Sequence, residues 1–217
     1  MGSKKLALEA GGPHRLELSW GWGWKQFTVT LDGKVVGTLD GGTAELKRGV
    51  FFKLPDGSSL NVLLQSGVFR TALAVSRDGE ALPGSDTDPA QQVKSAANLL
   101  YFLAGLNTLL GVIALLVESE VLEAAGMGLG SILFGLVVAV LGFFTYRGTR
   151  VAPILAGILY IADALFTVVD TLSGGGRPPI FALIIRAYIV ITLFTAAKAA
   201  AELRRREQEG AGVSLQP

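Results

Sequence analysis

The sequence predicts two fold classes in one chain: an all-β N-terminal antiparallel sandwich or small barrel, then an α-helical transmembrane four-helix bundle. Three observations carry this. Charge is unevenly spread, with 21 charged side chains in residues 1–94, ten in residues 95–200 and six in the last 17 residues. The charge-poor region contains four successive stretches long enough to cross a bilayer. The N-terminal region instead alternates apolar and polar residues between Asp-Gly pairs. Over all 217 residues the charged fraction is 17% and the mean hydropathy +0.49, against ~25% charge in ordinary soluble domains. Half the residues are apolar, none is cysteine, and the net charge is +1. Those values exclude a disordered chain, a disulfide scaffold and a strongly basic nucleic-acid binder.

Residues 1–82 read as a β-domain. Alternation is clear in Phe27–Leu31, Val50–Leu54, Leu60–Leu64 and Thr71–Val75. Asp-Gly occurs at 32–33, 40–41, 56–57 and 78–79, and supplies the positive φ angles that tight hairpins need. The strand-turn spacing predicts seven or eight strands. About 80 residues is near the lower limit for an independent core, so docking on the membrane face or on a second copy is one way to complete it.

All three tryptophans fall within five residues, as Trp20, Trp22 and Trp24 separated by glycines. In an extended strand they would share the face of Leu16 and Leu18. That predicts core, with a membrane-interface shelf or an interaction surface as the alternatives. The glycines weaken the strand, so a bulge fits there too.

Residues 83–93 form the predicted linker, from the Pro-Gly-Ser-Asp-Thr-Asp-Pro run after Leu82. An earlier helix cap, using Ser85 and residues 87–92, would shorten it. The membrane domain then covers 94–200, with spans at 95–117, 124–146, 151–172 and 178–197, and residues 201–217 form a basic tail. Each span reaches the ~20 residues that a helix needs to cross the hydrocarbon layer, and a helix satisfies its own backbone there.

Lys94, Arg147, Arg150, Lys198 and Arg204–Arg206 lie on one side of this arrangement, and Glu118, Glu120 and Glu123, then Gly174–Gly176 with one Arg177, on the other. The positive-inside rule therefore places both termini in the cytoplasm of a multi-pass inner-membrane protein. No signal peptide precedes the first strand, and the lack of Ser or Thr at position 6 argues against myristoylation. The Arg204–Arg206 run beside a span also suits anionic lipid.

Small residues spaced for close helix packing occur at Gly126 and Gly130, then Gly135, Ala139 and Gly142, and at Ala152 and Ala156. They are read as packing within the bundle, with self-association of copies as the alternative. Ionisable residues inside spans are Asp163, Asp170 and Arg186. Counted at ~1.5 Å per residue from the outer ends, Asn107 lies about 15 Å deep, Asp163 about 13 Å and Arg186 about 10 Å. Asp163 and Asp170 share a helix face. A charge at mid-span costs roughly 2.5–3.5 kcal/mol and so faces a partner. The expected network is an Asp163–Arg186 pair with Asn107, Tyr160 or Tyr188 as neighbours. It reads either as a clamp between helices or as part of an ion or proton path.

Catalytic chemistry is not indicated. One histidine, His14, and no cysteine leave no metal-ligand cluster and no triad base. Gly174–Gly176 with Arg177 lacks the Gly-Lys-Ser/Thr ending of a phosphate loop. Asp56 and Asp78 belong to turns, and Asp86 and Asp88 alone make a poor calcium site. Ten basic residues balance ten acidic ones up to Ala90, which gives nucleic acid no basic face.

The order His14-Arg15-Leu16-Glu17-Leu18, a Gly/Trp-rich turn, then Val29-Thr30-Leu31-Asp32-Gly33-Lys34-Val35 resembles the β-domain of the Fas apoptotic inhibitory molecule family. Leu73-Ala74-Val75-Ser76-Arg77-Asp78-Gly79-Glu80 adds to that resemblance, which covers about a third of the chain. It implies a non-enzymatic interaction domain without catalytic residues, although the four spans depart from a soluble family. The membrane half resembles uncharacterised small bacterial four-helix membrane proteins, through the glycine-rich second span, Tyr160–Asp163 and Ile185-Arg186. The expected function is non-catalytic and needs no cofactor: the helices anchor a β-domain that interacts or senses, with the bilayer and a cytoplasmic protein as partners. The alternative is a small transporter or channel subunit using the intramembrane charges.

Overall fold

A computed structural model describes residues 1–66, 71–117, 128–177 and 179–213. The chain forms two compact units, residues 1–91 and 92–217.

The first unit is a sandwich of two four-stranded antiparallel meanders. One sheet holds β1 (Gly2–Leu6), β2 (Leu16–Trp20), β3 (Phe27–Leu31) and β4 (Lys34–Leu39); the other holds β5 (Val50–Lys53), β6 (Ser59–Ser66), β7 (Thr71–Arg77) and β8 (Glu80–Ala81). A one-turn helix, α1 (Thr43–Leu46), carries the chain from the first sheet to the second.

Three of the four Asp-Gly pairs make turns between paired strands. Asp32-Gly33 and Asp78-Gly79 have φ of 50° and 77°, and 49° and 90°, the left-handed pair that a two-residue hairpin requires. Asp56-Gly57 closes β5–β6 in a longer loop. Asp40-Gly41 instead leads into α1, so that pair marks the change of sheet and not a hairpin.

The sandwich is filled by Leu16, Leu18, Phe27 and Val29 of one sheet and by Leu60, Val62, Leu73 and Val75 of the other. These are the alternate residues of their strands, as period-two patterning demands. Leu46 of α1 and Leu82 add to the same core. Each fully buried Leu or Phe contributes roughly 1.5–3 kcal/mol, so residues 1–91 hold a substantial core of their own.

The predicted linker is largely part of this unit. Leu82 N–H donates to the Val75 carbonyl at 2.8 Å, Val75 N–H to Ser85 Oγ at 2.9 Å, and Leu73 N–H to Asp86 Oδ2 at 2.7 Å. After the two-residue β8 ends, these groups cover the edge of β7, where unpaired amides would otherwise offer a pairing template. Asp88 accepts from Ala90 N–H at 3.1 Å and from Gly84 N–H at 2.9 Å. Helix α2 (Pro89–Val117) starts there, with proline in the first turn where its missing N–H costs nothing. The helix thus begins inside the predicted linker with Asp88 as its cap, while Ser85 serves the edge of β7 and not the helix.

The second unit contains α2 beyond residue 91, α3 (Leu129–Tyr146), α4 (Val151–Ser173) and α5 (Ile180–Val213). All four helices are long and apolar enough to cross a membrane. Helix α5 continues past the predicted end of its span and takes up most of the tail. Glu118, Glu120, Glu123, Gly126 and Pro178 lie outside the described residues.

All four helices contribute to one core, made of Ala96, Leu100 and Ala104, Val138, Ala156 and Tyr160, and Ile189, Leu193 and Ala196. Large apolar side chains such as Phe102, Leu116, Phe166 and Phe181 point outward and are exposed, the arrangement expected where the solvent is lipid. Close approach of α2 and α3 depends on Gly111 and Gly135. A Cβ at Gly135 would lie 2.9 Å from the Ala104 carbonyl oxygen, and one at Gly111 2.7 Å from that of Gly128. Gly130, half of the predicted GxxxG pair, faces open space.

Candidate functional site

The structure brings Asp163 of α4 and Arg186 of α5 together. Arg186 Nε donates to Asp163 Oδ2 at 2.8 Å, and both side chains are part-buried. The pair is formally neutral, which lowers the cost of holding either charge in a low-dielectric layer. Thr167 Oγ1 donates to the Asp163 carbonyl oxygen at 2.8 Å, tying the next turn of α4 to the same residue.

The rest of the predicted network is only partly assembled. Tyr160 sits one turn before Asp163, with its ring edge-on to Phe134 of α3 at 5.7 Å. Its hydroxyl is buried and has no hydrogen-bond partner among the described residues. Asn107 turns back on its own helix and donates from Nδ2 to the Leu103 carbonyl at 2.8 Å, so the structure does not join it to the pair. Asp170 is exposed and makes no ion pair among the described residues. Tyr188 follows Arg186 on α5, where its carbonyl accepts from Thr192 Oγ1 at 2.9 Å. Beside the pair, α4 and α5 enclose an apolar groove of about 390 Å³, in which Arg186 is the one charged lining residue.

The tryptophan cluster departs from expectation. The strand ends at Trp20, and Trp22–Trp24 form a single 3₁₀ turn. Gly21 N–H donates to the Lys25 carbonyl at 2.7 Å, and Gly23 and Trp24 take φ of 68° and 64°. The two glycines that weaken the strand thus reverse its direction, and the three indoles do not share one face. Trp20 stacks on Trp24 with centroids 4.5 Å apart and lies 6.1 Å from Phe27, at the margin of the sandwich core. Trp22 is 95% exposed. The core reading thus fits Trp20 and Trp24, and a surface role is left to Trp22 alone.

The acidic turn residues of the β-unit are held by structural contacts. Arg15 grips Asp32 with two hydrogen bonds, one from Nε at 2.7 Å and one from Nη2. That contact holds the Asp32 carboxyl below the usual carboxylate range. The Ser58 hydroxyl and amide hold Asp56 low in the same way, with Arg77 Nη2 at 2.7 Å adding to it. Sequence reading missed the Lys4–Asp86 ion pair, at 2.9 Å, which links β1 to the segment after β8. The polar turn at 84–88 is the sequence signal for such contacts, since Ser and Asp side chains bond nearby backbone. Among the described residues no group of three or more His, Cys, Asp or Glu is placed to hold a metal ion.

No family model, curated protein or solved structure matches the chain. The two resemblances named above therefore stand on their quoted motifs.

Proposed function

We propose that the four helices anchor the β-sandwich at an inner membrane, with both termini in the cytoplasm, and that the sandwich is a non-catalytic recognition or sensing module. The observation that carries this is the pairing of two kinds of surface in one chain. A sandwich with its own sealed core is joined to helices whose large apolar side chains face outward. Basic residues at Lys94, Arg147, Arg150 and Arg204–Arg206 support the orientation. The Asp163–Arg186 contact supports a clamp between α4 and α5, because each charge is neutralised by the other. Trp22 and a sheet edge are the surfaces through which a cytoplasmic protein would be engaged. The test is a reporter fused after Pro217 combined with alkaline extraction of membranes. A cytoplasmic signal from a fraction resistant to extraction is expected; an external signal or release by alkali would overturn the arrangement.

A second reading, a small transporter or channel subunit, draws on Asp170, which lacks an ion-pair partner among the described residues, and on the buried hydroxyl of Tyr160. Ion or solute flux in proteoliposomes, lost on Asp163→Asn, would favour it over the anchor.

A further inference from the structure

The outer face of the first sheet carries a feature that the anchoring role leaves unused. Ser3 pairs with Ser19, Ser19 with Thr28, and Thr28 with Thr38. One row of four hydroxyl residues therefore crosses all four strands. Neighbouring strands are ~4.8 Å apart, so the row presents hydroxyls at regular intervals across the whole sheet. The row lines a depression of about 620 Å³, together with Trp20, Gly21, Gln26 and Asp40. That volume is within the range of small-molecule sites.

The polar groups of this depression have spare capacity. Thr28 Oγ1 makes one long bond, 3.4 Å, to the Gln26 carbonyl. Among the described residues the side chains of Ser3, Ser19, Gln26, Thr38 and Asp40 have no hydrogen-bond partner. Hydroxyls and an amide both donate and accept, whereas the carboxylate only accepts. Asp40 is the one charged side chain of the lining, which Met1 joins with the terminal ammonium. That composition, hydroxyls and an amide around one carboxylate, is rich in neutral donors and acceptors. It suits a ligand with many hydroxyls, neutral or bearing an amine.

A second, separate observation points the same way. Trp22 follows Gly21 of the lining directly and is 95% exposed. Trp20 itself lines the depression, and an indole with a row of hydroxyls offers both surfaces that a sugar ring presents in complement, an apolar C–H face and a polar edge. The wall is also held in a costly shape. Gln26 adopts left-handed backbone, with φ of 52°, a conformation that strains non-glycine residues.

We infer that this face binds a saccharide, neutral or amino-substituted, with the Ser3–Ser19–Thr28–Thr38 row on its hydroxyls, Asp40 on an amine and Trp20 beside it. The inference rests on the sensing reading of the β-unit and names its ligand class. It is tested on the full-length protein in nanodiscs by calorimetric titration with maltotriose, glucosamine and glucose 6-phosphate. Saturable binding of maltotriose or glucosamine in the millimolar range is expected. Thr28→Val with Thr38→Val removes two hydroxyls while keeping side-chain shape, and should weaken binding by at least about tenfold. Thr30→Val, in the neighbouring row, should leave it unchanged. Asp40→Asn, at an exposed position, should reduce glucosamine binding and spare maltotriose.

Absence of saturation by either sugar up to tens of millimolar would overturn the inference, as would tightest binding of the phosphate. A Trp22→Phe-sensitive fluorescence shift with anionic phosphatidylglycerol vesicles, and none with sugars, would also overturn it and assign the indole to membrane contact. Failure of sugar binding leaves the topology test of the anchoring reading untouched, so the two can fail separately.

Discussion

Two ion pairs of nearly equal length teach different things about the two units. Lys4–Asp86 in the sandwich spans 2.9 Å, and Arg186–Asp163 in the helical unit spans 2.8 Å. In the first, the carboxylate also accepts the Leu73 amide, so it satisfies backbone as well as a cation. In the second, Asp163 meets Arg186 through one hydrogen bond between two helices whose backbones are already satisfied. The sandwich pair is therefore hard to replace with apolar groups, whereas the helical pair is replaceable if both charges are removed together.

The largest expected effect comes from breaking the helical pair on one side. Asp163→Ala leaves Arg186 uncompensated in an apolar layer and should destabilise the helical unit by about 3–5 kcal/mol. Thermal unfolding in nanodiscs, followed by helical circular dichroism, measures this. Asp86→Ala comes next, at about 2–3 kcal/mol, because it orphans both the Leu73 amide and Lys4. Lys4→Met should cost only about 1 kcal/mol, since Asp86 keeps its backbone partner. All three tryptophans lie in the sandwich, so intrinsic fluorescence during denaturant unfolding reports that unit selectively.

The smallest effect is that of pH on the exposed turns. Asp32 and Asp56 have carboxyls held low in the folded state. Their contribution is full above the unfolded carboxylate value near pH 4 and is lost as pH falls through the lower folded value. The fluorescence midpoint should stay level from about pH 7 to 5 and drop below about pH 4. A double variant, Asp32→Asn with Asp56→Asn, should show a shallower drop.

Much of this architecture is legible in the residues themselves. Alternation in Phe27–Leu31 and Leu60–Leu64 names the core face, and the charge-free runs name the spans. The Asp-Gly pairs at 32–33 and 78–79 specify their turns, because φ above zero is a local demand. Asp163 and Arg186 stand out because a charge in a span calls for a partner. What sequence reading misses depends on longer-range competition. Trp22 and Trp24 leave the strand because the Gly21–Lys25 hydrogen bond closes a turn that alternation does not reveal. Asn107 finds its acceptor one turn back on its own helix, which removes the need for a distant one. The 83–88 segment looks like a linker by composition, yet its Ser and Asp side chains complete the edge of β7. The hydroxyl row is invisible until strand register sets Ser3, Ser19, Thr28 and Thr38 side by side.

The reading of the Asp163–Arg186 contact as a structural clamp depends on the pair being replaceable. The most direct test is the double variant Asp163→Leu with Arg186→Met, unfolded in nanodiscs beside the wild type and both single variants. The double variant is expected to lie within about 1 kcal/mol of the wild type, with each single variant clearly weaker. A double variant as unstable as the singles would contradict it.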